Sequence, residues 1–141
     1  MSSAVFNHGP FQDLVGYEIV ELPDAAIAVR LPIRNDHLNL HGVLHGGVLL
    51  TLLDAVGGRV LKATSDRIES VVTISMSTDF VQPIGAGVLY ATASADKIGK
   101  TIGYVSMRVT ADAPDGDVIA RAHGSYRVFA KSLTRTSSGA I

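Results

Sequence analysis

The chain contains no cysteine. That absence excludes disulfides, thiolate metal ligands and a cysteine nucleophile together, and it suits a reducing compartment. An excess of one charge is missing too: 12 basic and 13 acidic residues give a formal net charge of -1. Without a basic stripe, neither nucleic acid nor an anionic membrane is expected as a partner, and any anionic ligand has to be held locally. The first eight residues carry neither a charged segment nor an apolar run, so no secretory leader is expected and the cytoplasm is the expected location. A long uninterrupted hydrophobic run is also lacking. The best candidate, residues 42–60, is broken by His45, Asp54 and Arg59, short of the roughly 20 apolar residues that cross a bilayer. It reads as a segment buried in protein. With 141 residues, 47% of them hydrophobic, and with no repeat or internal linker, the whole of 1–141 is expected to form a single domain.

What is present centres on one carboxylate. Asp54 lies within Gly46-Gly47-Val48-Leu49-Leu50-Thr51-Leu52-Leu53-Asp54-Ala55-Val56, the most apolar stretch of the chain. Desolvating an ionised carboxylate costs several kcal/mol unless partners replace the lost water, so Asp54 is read as a site.

The remaining pattern reads as elements around that stretch. Residues 10–16 predict a short amphipathic helix closed by Gly16. Residues 17–22 and 26–31 predict a hairpin turning at Pro23-Asp24. Residues 32–44 are irregular, the kind of segment on which function tends to sit. Residues 46–63 are apolar on nearly every side and end with Arg59 and Lys62, as a wrapped helix does. Four strand-length segments follow, at 69–81, 88–96, 103–111 and 118–128. In the first, Val72, Ile74, Met76, Thr78 and Phe80 share one face by alternation, and Val71, Thr73, Ser75, Ser77 and Asp79 the other. In the later ones small residues such as Ala91, Ala93, Ala120, Ala122 and Gly124 line one face, which lets a sheet curve around a helix. The tail from about residue 130 to 141 is expected to fray. The fold class is α+β: a long central helix wrapped by a curved antiparallel sheet.

The stretch Asn39-Leu40-His41-Gly42-Val43-Leu44-His45-Gly46-Gly47 followed by Asp54 resembles the signature of hotdog-fold acyl-CoA thioesterases of the phenylacetate-degradation type. The resemblance extends from about Phe11 to Val128. It implies a hotdog fold, hydrolysis of an aryl- or medium-chain acyl-CoA, and composite sites at a homodimer interface, in a dimer or a dimer of dimers.

Gly46 and Gly47 fall where a loop becomes a helix, so their amides lack intrahelical acceptors at the positive end of the dipole, a ready oxyanion site. Asp54, eight residues on, lies roughly 12 Å further along the same helix, too far to share one carbonyl carbon. The two groups can serve one reaction only from different subunits about a two-fold axis. Asp54 is either a general base for water or a nucleophile that forms a mixed anhydride. By the resemblance, Thr73 helps hold the water or the carboxylate. Asn39 binds the water or the thioester oxygen, or else closes an Asx turn. His45 binds near the thioester, or else caps the helix. Phe11, Leu14, Phe80, Val81 and Pro83 are candidates for the acyl pocket. Lys97 and Lys100, with Arg127 and Lys131, are candidates by type for the coenzyme phosphates. His37, His41 and His45 recur every four residues, but Gly42 argues against a helix there and no metal is expected. No cofactor is expected beyond the coenzyme A of the substrate. The competing readings are a non-catalytic acyl-binding module and a hotdog hydratase or dehydratase. The second commonly pairs Asp with a His about five residues on, where this chain has Arg59.

Overall fold

The computed structural model describes residues 3–132. In chain order these form α1 (Pro10–Val15), β1 (Glu18–Glu21), β2 (Ile27–Pro32), α2 (Gly46–Thr64), β3 (Ile68–Phe80), β4 (Val88–Ile98), β5 (Ile102–Ala111) and β6 (Val118–Ala130). The expected order holds throughout. α1 starts with Pro10, whose fixed φ suits a first helical turn, and stops at Gly16, which takes a left-handed φ of 92° and returns its N–H to the Gln12 carbonyl at 2.7 Å.

One antiparallel sheet carries the strands in the order β1-β2-β4-β5-β6-β3. α2 lies on its concave face with Leu49, Leu52, Leu53, Val56, Val60 and Leu61 buried. Opposite them stand Ala91, Val105, Met107, Ala122, Tyr126 and Val128, also buried. The small side chains let the helix sit close. A Cβ at Gly103 would meet Leu61 Cδ2 at 2.7 Å. Truncating a core leucine such as Leu52 or Leu53 to alanine costs about 2–5 kcal/mol in such a setting.

β3 departs from the expected alternation. Thr73 pairs with Tyr126 but Ser75 pairs with Ser125, so β3 spends one residue more than its neighbour and bulges at Ile74. Directly paired residues share a face, and Tyr126 is an inner residue. Val71 and Thr73 therefore face the helix before the bulge, and Met76, Thr78 and Phe80 face it afterwards. Val72 and Ile74 turn outward, 57% and 54% exposed. Alternation assumes an unbroken period of two, and one inserted residue reverses it.

The loop 33–45 is more ordered than its composition suggests. A 3-10 turn at Asn35–His37 and a bridge between Leu38 and Leu44 brace it. At the far end β6 runs to Ala130, and the Lys131 N–H donates to the Arg67 carbonyl at 2.8 Å. The start of the expected tail is thus paired, and its remainder from residue 133 lies outside the described residues.

Candidate active site

α2 carries both halves of the expected chemistry, in two different cavities. Halfway along it, Asp54 is half-buried at the edge of a cavity of about 710 Å³. The Thr73 hydroxyl donates to Asp54 Oδ1 at 2.6 Å. The Tyr126 hydroxyl lies 3.2 Å from the same Oδ1 and 3.0 Å from the Asp54 carbonyl oxygen, and donates to one or the other. No donor among the described residues reaches Oδ2. The carboxylate is thus anchored through one oxygen and offers the other.

The β3 bulge is what brings Thr73 here. It turns Thr73 to the helix face beside its cross-strand neighbour Tyr126, so that two hydroxyls from adjacent strands converge on one carboxylate oxygen. Tyr126 was not among the residues expected at the site. Its reach depends on Gly57, one turn beyond Asp54, where any Cβ would collide with the Tyr126 hydroxyl. The sequence signal for it was a single hydroxyl-tipped aromatic on an otherwise small-residue face, opposite the pair Gly57-Gly58. Burial, then the charge of Asp54 and its hydrogen bond, push the Tyr126 phenol well above the usual tyrosine range. Tyr126 therefore stays a proton donor.

At the N-terminal end of α2, Gly46 lines a second cavity of about 350 Å³ with Phe80, Val81 and Pro83. Gly47 is placed differently from the expected pair. Its N–H donates to His45 Nδ1 at 2.8 Å, so His45 is the helix cap and the Gly47 amide is engaged. The Gly46 N–H has no acceptor among the described residues. Asn39 closes the loop as an Asx turn, its Oδ1 accepting from His41 N–H at 2.8 Å and from Val43 N–H at 3.3 Å.

The other expected residues divide between these places. Phe11 shares the Asp54 cavity. Leu14 lines neither cavity and is 72% exposed. Lys97, beside the irregularity at the end of β4, and Lys100, in the β4–β5 turn, also line neither. The cations that do line the Asp54 cavity are Arg59 and Lys62, which alternation and spacing had read only as the end of a helix. His37 engages both ring nitrogens, Nδ1 accepting from Arg34 N–H and Nε2 donating to the Val15 carbonyl, each at 2.8 Å. Among the described residues no group of three or more His, Cys, Asp or Glu is placed to hold a metal ion, and no helix is long and apolar enough to cross a membrane.

Known proteins share this architecture. A curated relative, acyl-coenzyme A thioesterase 13 of Pongo abelii, is 29% identical over 93 residues, 65% of this chain and 66% of its own length. Ta0293 of Thermoplasma acidophilum, provisionally assigned as an esterase, is 26% identical over 125 residues, 89% of this chain and 92% of its own. The crystal structure of the Bacillus halodurans protein BH2602, solved with CoA, superposes with a TM-score of 0.79 at 30% identity, covering 89% of this chain and 82% of that one. Residues 41–117, which include Gly46, Asp54 and Thr73, match the sequence profile of the thioesterase superfamily. The chain belongs to that superfamily, as a thioester hydrolase of the hotdog fold.

Proposed function

We propose that the protein is an acyl-CoA thioesterase whose unit of catalysis is a homodimer, with Asp54 of one chain facing the partner's Gly46. The observation that carries this reading is the anchored carboxylate: Oδ1 is held by Thr73 and Tyr126 while Oδ2 is free, in a cavity that excludes the same chain's Gly46. A carboxylate poised in this way has a use at a carbonyl carbon only where an oxyanion donor stands opposite. A second copy is the nearest source of one.

The edge of the sheet supports the same assembly. β3 spans 13 residues with a neighbour on one side only. It carries the outward Val72 and Ile74, with no proline or lysine to blunt it, so its unpaired N–H and C=O groups suit a second strand. Antiparallel pairing of two β3 strands about a two-fold axis sets the two α2 helices side by side and antiparallel, which directs each Asp54 toward the partner's helix N-terminus.

At such a site the thioester oxygen accepts from the partner's Gly46 N–H, where the helix dipole favours developing negative charge. His45 fixes the first turn that presents that amide, and Asn39 holds the loop leading to it. Two routes share this geometry. In one, Asp54 Oδ2 takes a proton from a water as the water oxygen bonds to the carbonyl carbon; the C–S bond breaks and the proton passes to the departing thiolate. In the other, Oδ2 itself bonds to the carbon and displaces the thiolate, and water then cleaves the anhydride. Coenzyme A enters and leaves as part of the substrate. The acyl group enters the Asp54 cavity past Phe11, and the partner's Phe80, the partner's Val81 and the partner's Pro83 flank the thioester. Two of the three named relatives, one an acyl-CoA thioesterase and one solved with CoA, agree with this substrate class.

A panel of aryl- and medium-chain acyl-CoA thioesters assayed by release of free thiol tests the reading. Hydrolysis of at least one by the wild type, lost in Asp54→Asn, is expected. If the wild type cleaves none of them, the reading fails. Single-turnover hydrolysis in labelled water then separates the routes, since only the anhydride leaves label in the protein.

A further inference from the structure

The Asp54 cavity is lopsided in charge. Asp54 is the one carboxylate in its lining, beside two cations, Arg59 and Lys62. Along α2 they lie five and eight residues beyond Asp54, a rise of roughly 7 to 12 Å. Ala55, Gly58 and the apolar Val71 line the stretch between, while Leu50 and Met76 line the other side of Asp54, toward Gly46. Neither cation has an ion pair among the described residues.

Arg59 is nonetheless held still. Its Nη2 donates to Gln12 Oε1 at 2.9 Å and to the Asn7 carbonyl at 3.2 Å, and its guanidinium lies 5.9 Å from the centre of the Tyr17 ring. Gln12 is in turn fixed by donating to the Tyr17 carbonyl at 3.1 Å. All these acceptors are neutral, and Arg59 Nε is buried with no partner. The charge is therefore oriented but not neutralised, an unfavourable state unless a ligand completes it. Helix-dipole stabilisation accounts for Lys62 in the last turn of α2, but Arg59 is more than a turn from the end and faces the cavity. The segments proposed above to face this cavity from a second copy, residues 39–47 and 80–83, contain no Asp or Glu, and Asp79, next to them on β3, is already paired with Arg121 of its own chain.

We infer that the acyl group this site takes carries an anionic oxygen at its far end, an ω-carboxyacyl thioester, with Arg59 and Lys62 receiving the carboxylate while Asp54 addresses the thioester. The apolar stretch between them accepts the intervening carbons. This inference rests on the acyl-CoA reading and narrows it to a substrate class.

The test compares three six-carbon substrates on the full chain: adipoyl-CoA, hexanoyl-CoA and 6-hydroxyhexanoyl-CoA. A charge-assisted contact predicts a kcat/KM preference of roughly tenfold to a hundredfold for adipoyl-CoA over hexanoyl-CoA, with the hydroxy chain between them. Arg59→Gln and Lys62→Gln each reduce that ratio, mainly through the KM of adipoyl-CoA. Lys62 tethers nothing, so Lys62→Gln reports on the charge even where loss of the Arg59 tether disturbs folding. Equal use of the three, or preference for hexanoyl-CoA, overturns the inference and leaves the thioesterase reading standing. No hydrolysis of any of the three or of the wider panel removes both.

Discussion

The two ends of α2 make opposite provisions for charge. Its N-terminal turn presents the Gly46 N–H, a donor with no acceptor among the described residues, in an uncharged cavity walled by Phe80, Val81 and Pro83. Its middle and far end present the reverse: a carboxylate with one oxygen anchored and one free, then two cations with no counter-ion among the described residues. The free Gly46 amide is what the free carboxylate oxygen lacks opposite it, whereas neither end supplies an anion for the two cations. A helix is rigid, so the two cannot meet within one chain, which is the ground for proposing a site shared between two copies.

Substitutions that sharpen the contrast rank by how directly each group meets the reacting atoms. Asp54→Asn keeps the shape and the Thr73 contact but removes base and nucleophile alike. Its kcat is expected to fall toward the upper end of roughly 10²–10⁴-fold, read from steady-state rates. Gly46→Pro deletes the one free amide while suiting the first helical position, because His45 before it is already extended at φ -66° and ψ 133°. A loss of about 10²–10³ in kcat is expected. Gly46→Ala is the control: its added Cβ makes ordinary contact with Phe80 at 3.4 Å and keeps the donor, so most activity should survive.

Tyr126→Phe is the smallest of the three. One hydrogen bond to a carboxylate gone should lower kcat about fivefold to thirtyfold with KM little changed. Alkaline stability gives a second readout of the same residue. The folded phenol titrates well above the unfolded one, so its contribution is complete below about pH 10, where an unfolded tyrosine ionises. That contribution is lost as pH rises further toward the folded value. Wild type should therefore lose stability above pH 10 more steeply than Tyr126→Phe in parallel denaturant titrations.

Much of the layout was legible in the chain because each element carried its own pattern. The all-round apolar stretch 46–63 is α2 within one residue, and the small-residue faces of β4, β5 and β6 face it as expected. Asp54 stood out because a charge in an apolar run has no local explanation. What was hidden depends on relations between elements. The bulge at Ile74 is invisible to alternation, yet it decides that Thr73 faces Asp54 while Val72 faces out. Tyr126 reaches Asp54 only because Gly57, on another element, leaves room for its hydroxyl. The engagement of Gly47 is more local: a histidine before a glycine pair can cap or stay free, and only the backbone geometry at His45 decides. Charge was read there only by residue type: Arg59 and Lys62, taken as cations at the end of a helix, line the Asp54 cavity, and Lys97 and Lys100, named for the coenzyme phosphates, line neither cavity.

The claim that each site is shared between two chains has a direct measurement. Asp54→Asn retains Gly46, and Gly46→Pro retains Asp54, so a mixed dimer of the two contains one intact composite site and one doubly damaged site. The two purified variants, each nearly inactive, are unfolded together, refolded at equal concentration and assayed for thioester hydrolysis. Random pairing makes half the dimers mixed with one good site of two, so about a quarter of wild-type activity should return. Activity no higher than the mean of the two variants alone would contradict the account.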